Sequence, residues 1–159
     1  MAIYTHGGVG YTPIAHADGA SALASNSYQV VRTETTSTLR IVDIYIGGEA
    51  TASTVNRMAL RRLSTNATTP TDQTAAALNP LSQAAAANGY VAASTGPTIA
   101  STQHLGNFAL NTFGGVVRWV AAVGEEVWAT AATAPNGEIV LDSISGIGVV
   151  TQDIRFEEI

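Results

Sequence analysis

Imidazole is the side chain best suited to metal binding and proton transfer near neutral pH, so His6, His16 and His104 are the first residues to test for chemistry. They stand far apart, in stretches of weak periodicity, and no pair shows ligand spacing such as i, i+4 on a helix. Hydrogen-bonded loop histidines, not a metal site, are the expectation. Serine nucleophiles need a base, an orienting acid and a strained turn to present them, and no Ser here sits in a G-x-S-x-G elbow. The carboxylate pairs Glu125-Glu126 and Glu157-Glu158 are sequence neighbours. On a strand, neighbours point to opposite faces, so neither pair can flank a scissile glycosidic bond. Solvated strand ends are the expected fate of both. Gly7-Gly8-Val9-Gly10 lacks the Lys-Ser/Thr of a phosphate loop and the flanking strand and helix. Asn66-Ala67-Thr68 matches the glycosylation triplet, but the N-terminus shows no charged n-region or apolar h-region of a secretion signal. No catalytic residue, cofactor or metal is expected, and the chain is expected not to be an enzyme.

Two groups of residues suit contact rather than catalysis. Arg57, Arg61 and Arg62 lie close together, and Glu157-Glu158 offer acceptors for them in a neighbouring subunit, since bidentate Arg–carboxylate pairs fix register. An ordinary solvated strand face is the equal alternative. Trp119 and Trp128 sit on adjoining predicted strands. Trp119 shares a face with Val117 and Val123 and is expected in the core, which leaves Trp128 as the interface candidate.

Composition points the same way. Charged residues make up 12% of the 159-residue chain, about half the usual share. Small Ala, Gly, Ser and Thr dominate, and Lys is absent. Subunit interfaces are depleted in charge, so obligate assembly is expected, against the alternative of a Thr/Ser-coated monomer. A net charge of −5 argues against nucleic acid, which calls for a basic stripe. No Cys is present to build a disulfide framework or zinc ribbon. No run of about 18 apolar residues occurs, so no membrane span is expected.

The elements that would position these residues are strands. Residues 1–27 show no sustained period and read as an extended arm held by a neighbour or by its own domain, with the neighbour favoured. Residues 28–159 read as a single domain. Tyr28–Thr33 and Leu39–Ile46 are strands, the second apolar on both faces. Asn56–Ser64 is a strand with Met58 and Leu60 inward and Arg57 and Arg61 outward, although Val55–Leu63 also fits a helical period. Residues 65–104 read as one long loop insertion, with at most short helical turns around Asn79-Pro80, and His104–Asn111 as a short strand. Four strands from Phe113 to Ile159 are expected to form a meander, with hairpins at Gly124 and at Pro135-Asn136-Gly137. About eight strands in all predict an all-β fold, an antiparallel two-sheet sandwich of jelly-roll type, with a small open barrel as runner-up.

Three stretches carry a resemblance. They are Gly47-Gly-Glu-Ala-Thr-Ala-Ser-Thr leading into Asn56-Arg-Met-Ala-Leu-Arg-Arg, Phe113-Gly-Gly-Val-Val-Arg-Trp-Val-Ala-Ala-Val-Gly-Glu-Glu, and Asp153-Ile-Arg-Phe-Glu-Glu-Ile. Over roughly residues 40–63 and 107–159 the chain resembles the small Ala/Thr-rich β-structural virion proteins of tailed bacteriophages, and most of all capsid decoration (cement) proteins. The resemblance implies a homo-oligomer, often a trimer, on the capsid surface, made in the host cytoplasm and touching the major capsid protein or other virion proteins. It carries over no catalytic or ligand residues. A tail or baseplate structural protein, or a carbohydrate- or receptor-binding module on a similar sandwich, are the alternatives.

Overall fold

The computed structural model describes residues 1–16, 22–24, 28–34, 37–91, 95–130, 137–146 and 148–159, with side chains for all of these except residues 9 and 101–103. Twelve strands and no helix occur among them. In chain order they are β1 (Ala2–Tyr11), β2 (Tyr28–Arg32), β3 (Leu39–Glu49), β4 (Val55–Thr65), β5 (Gln73–Thr74), β6 (Ala76–Ala77), β7 (Asn88–Tyr90), β8 (Thr98–Asn111), β9 (Phe113–Val120), β10 (Val127–Ala129), β11 (Glu138–Ser145) and β12 (Val150–Glu158). One sheet has the order β10-β3-β12-β1-β6, with β9 also paired to β3. The other runs β5-β7-β2-β11-β4-β8. Every pairing is antiparallel. The antiparallel sandwich matches the expectation, with twelve strands in place of about eight. A jelly-roll connectivity is not what these strand orders by themselves define.

Alternation places the core between the sheets. Tyr4 of β1, Ile154 and Phe156 of β12 and Ile44 and Ile46 of β3 meet Val31, Met58, Leu60, Phe108, Ile139 and Leu141 of the facing sheet. The Tyr4 and Phe156 rings stack at 5.8 Å. The two-faced look of Leu39–Ile46 has a local cause. Arg155 pairs with Asp43 but Phe156 with Ile41, so a bulge at Val42 changes the parity of β3. Leu39, Ile41, Ile44 and Ile46 therefore all turn inward, and Tyr45 stays out.

The outer face of the second sheet is covered as well. Leu23, Tyr28, Val30, Leu63, Tyr90, Ile99 and Val140 form a smaller apolar cluster there. The backbone N–H of Leu23 donates to Pro97 O, and that of His16 donates to Ser143 O. Residues 16 and 22–24 thus lie against this face. Covering both faces buries every residue from Glu138 to Ser143, where alternation alone leaves Glu138 and Asp142 in solvent.

Several expectations are corrected. Residues 2–11 are held by their own domain and not by a neighbour, because β1 pairs along its length with β12, from Ala2 opposite Glu158 to Tyr11 opposite Val150. The expected loop 65–104 contains β5, β6, β7 and the first half of β8, and at Asn79-Pro80 the described chain makes a single turn, in which the Ser82 N–H donates to Asn79 O at 2.9 Å. β9 and β10 do not pair with each other across Gly124. Both pair with β3, β9 along Asp43–Glu49 and β10 along Leu39–Ile41. They form one interrupted line, and residues 121–126 loop away between them. The C-terminal meander also fails, because β11 lies in the opposite sheet from β9, β10 and β12. Pro135 and Asn136 of the second predicted hairpin lie outside the described residues, and the strands on either side of it pair in different sheets.

Candidate interaction surface

The contact residues singled out from sequence fall into three environments. Arg61 is fully buried on the covered outer face of the second sheet and forms a bidentate ion pair with Asp142, its Nε 3.0 Å from Oδ1. Its guanidinium is therefore spent on Asp142 under a covered face and not presented to a neighbouring subunit, contrary to the outward position expected. Burial pushes the Asp142 carboxyl up, and the Arg61 hydrogen bond and charge work against that rise. Next along the same layer, the Tyr90 hydroxyl donates to Glu138 Oε2 at 2.9 Å. Burial likewise raises the Glu138 carboxyl, while Tyr28, beside Glu138, is pushed up to about 12 by burial and by that charge.

The second environment lies around β10. The Arg40 guanidinium sits 5.7 Å from the centre of the Trp128 ring, and its Nε donates to Glu157 Oε2 at 2.6 Å. Glu126 approaches it at 3.5 Å. Arg62 Nη2 donates to Trp128 O at 2.8 Å. Glu158 accepts from the backbone N–H groups of Ala86 and Ala87, at 3.0 and 2.6 Å. Both terminal glutamates are thus held within their own chain, and the cross-subunit pairing of Arg61 or Arg62 with Glu157-Glu158 does not describe them. Trp128 remains 38% exposed. Trp119, the expected core member, is half-buried against the main core.

Arg57 differs from the other arginines. It is exposed near the start of β4 and borders a cleft of about 330 Å³ with Met58, Asn107, Phe108 and Ile144. Its side chain has no acceptor among the described residues.

The two flanks of the sandwich are built differently. On one, Gln73-Thr74 extends the second sheet and Ala76-Ala77 extends the first, so a single short stretch borders both sheets. Very short edge strands are one way proteins blunt a sheet edge. On the other flank the borders are the long β8 and the β9–β10 line, with no further neighbour among the described strands. Val55, Phe113, Val116, Val120 and Val123 are all exposed along it. Its charged side chains are sparse, and Arg118 is held by Asp43 through bonds of 3.1 and 2.7 Å. Ala22 bridges the start of β8 at Thr98, and register shifts interrupt its first half, but its regular part from Gly106 to Asn111 and the neighbouring β9 carry no Lys or Pro against strand addition. Sequence reading missed this flank because it depends on which strands end up at borders, which pairing decides and alternation does not.

The histidines are dispersed. His6 lies in the core with its ring against Gly89, while His16 and His104 both act electrostatically on Asp142. Among the described residues no group of three His, Cys, Asp or Glu could hold a metal ion. A comparison with protein-family models and with curated proteins finds no match to this chain.

Proposed function

We propose that the chain is a non-enzymatic structural subunit that self-associates through its open flank and serves as a decoration protein on the capsid of a tailed phage. The observation that carries the self-association is the border formed by the second half of β8 and by β9, where Phe113, Val116 and Val120 are exposed. In an isolated molecule such a border is an aggregation site, and in an assembly it is a ready interface. The charge-poor, Lys-free surface supports the same reading. The placement on a virion rests on the resemblance of residues 40–63 and 107–159 to small Ala/Thr-rich virion β proteins. A subunit that binds only the assembled shell shifts the equilibrium against disassembly by mass action.

Light scattering on the purified chain tests the first half, with a mass above the 16.3 kDa of one chain expected. Co-sedimentation tests the second. Binding to DNA-filled heads supports decoration, binding to isolated tails moves the protein to the tail, and binding to neither overturns the virion placement.

A further inference from the structure

The hydrogen bonds around β3 decide which backbone groups of β9 face the border. In an antiparallel ladder, successive residues of a strand aim their N–H and C=O groups at opposite neighbours. The Ala121 N–H donates to Val42 O at 2.9 Å, and the Glu49 N–H donates to Val149 O at 2.8 Å. Carried along the two registers of β3, the first bond turns its even-numbered residues to β9 and the second turns its odd-numbered ones to β12. The two bonds agree. Ile44 and Ile46 therefore bond Trp119 and Val117, while the N–H and C=O groups of Val116, Arg118 and Val120 point away from β3. No further strand lies on that side among the described residues.

The side chains of this stretch read alike in both directions. Val116, Arg118 and Val120 share the outer face of the sheet, and both valines are 59% exposed. Val117 and Trp119 share the inner face and pack against the core. Arg118 brings no bare charge to the border, because Asp43 of its own chain holds it through bonds of 3.1 and 2.7 Å. Regular pairing with β3 ends at Val116: Gly47 stands opposite Val116 but Glu49 opposite Phe113, and Gly114 takes φ +73°. At the other end the chain turns into the loop 121–126. The unpaired stretch is thus residues 116–120, with Arg118 at its centre.

We propose that two copies of this chain join β9 to β9 in antiparallel fashion, about a two-fold axis that passes through the border at Arg118 perpendicular to the first sheet. The first sheets of both copies then become one. A reversed copy sets Val116 opposite Val120 of the second copy and Arg118 opposite its own mate. These are hydrogen-bonded pairs, each exchanging two N–H···O bonds, so every outward backbone group of the stretch is used. Two Val–Val pairs form on the outer face and cover apolar surface that water now meets. On the inner face Val117 meets Trp119 of the second copy, an aromatic–β-branched pair of the stabilising kind. Like charges directly opposite oppose pairing, and the Asp43 carboxylate beside each Arg118 offsets that. Moving the axis to Val117 separates the arginines, but it loses both Val–Val pairs and leaves Val120 facing the irregular Gly114. The interface is self-complementary and closed. The proposal rests on the self-association reading above and names its strand and register.

The chain contains no Cys, so single cysteines in the full chain report the register under mild oxidation. Arg118→Cys should cross-link to itself, because opposed Cα atoms of such a pair stand about 5.5 Å apart, within the reach of a disulfide. Val116→Cys and Val120→Cys should each stay uncross-linked alone and cross-link when mixed. Cross-linking of Val117→Cys in place of Arg118→Cys overturns this register. Val116→Pro removes an N–H that β3 does not use, so circular dichroism should show the fold retained. In light scattering across a dilution series its dimer should dissociate on the order of tenfold more readily, since each copy loses a hydrogen bond at the border. Twice the single-chain mass is expected for the natural sequence, and a trimeric mass overturns the two-fold. Undiminished association of Val116→Pro, with no cross-link at position 118, overturns the strand pairing and leaves self-association standing. A monomer at every concentration overturns both readings.

Discussion

Arg61 and Asp142 are fully buried and bonded through both guanidinium donors, so each is tolerable only because the other is present. Arg61→Leu leaves an uncompensated carboxylate and should cost about 3–5 kcal/mol of stability, read by urea denaturation. The loss should shrink as pH falls, because Asp142 then takes up a proton. Replacing both residues with apolar ones should recover most of it. His6 gives the opposite pH dependence. Burial lowers its pKa to about 4, against a smaller raising effect of Asp153. The unfolded chain, near 6.5, therefore binds the proton first as pH falls from 7 to 4. Over that window His6 should weaken the fold by up to roughly 3 kcal/mol, and the weakening vanishes as pH rises past 6.5. The stability advantage of His6→Leu over the natural protein should widen accordingly, and pH-dependent thermal melts measure it. The histidines were read from sequence as loop residues, and His6 shows why that failed. It is an inward position of a strand whose next inward residue, Gly8, has no side chain to display the alternation.

At the scale of elements, β12 and β4 were legible because most of their inward positions, Val150, Ile154 and Phe156 in one and Met58 and Leu60 in the other, are large and apolar, in spite of the buried Gln152 and Asn56. β1 was not, since Ile3 lies outside and His6 and Gly8 lie inside, so its pattern runs against the rule. The parity change in β3 is equally hidden, because a bulge leaves no mark in residue types. Gly89 of β7 is required by close approach. A Cβ there would stand 2.2 Å from the His6 ring, and Gly89→Ala should destabilise by about 1–3 kcal/mol, seen as a lower urea midpoint at unchanged slope. On the open flank, Val116→Lys or Val120→Lys places a charge on an exposed border position. Either should leave stability within about 0.5 kcal/mol while lowering the mass measured in solution. The interface candidates Arg57 and Trp128 were found from sequence by residue type.

At the scale of the whole molecule, the pairing of β1 with β12 makes the first residues part of the frame. β1 lies between β12 and β6, and its Tyr4 and His6 are buried in the core. Deleting residues 1–24 should therefore abolish the cooperative unfolding transition in circular dichroism, where a detachable arm would leave it intact. Pairings as distant as Ala2 with Glu158 also place folding in the slow class, milliseconds to seconds, because long loops must close before these contacts form. Between Thr74, bonded into one sheet, and Ala76, bonded into the other, stands the buried Ala75 alone. The sheets are about 10 Å apart, and so short a tether has almost no slack. One layer cannot shear over the other without breaking it, so that margin acts as a rivet and any breathing of the two layers must begin on the opposite side.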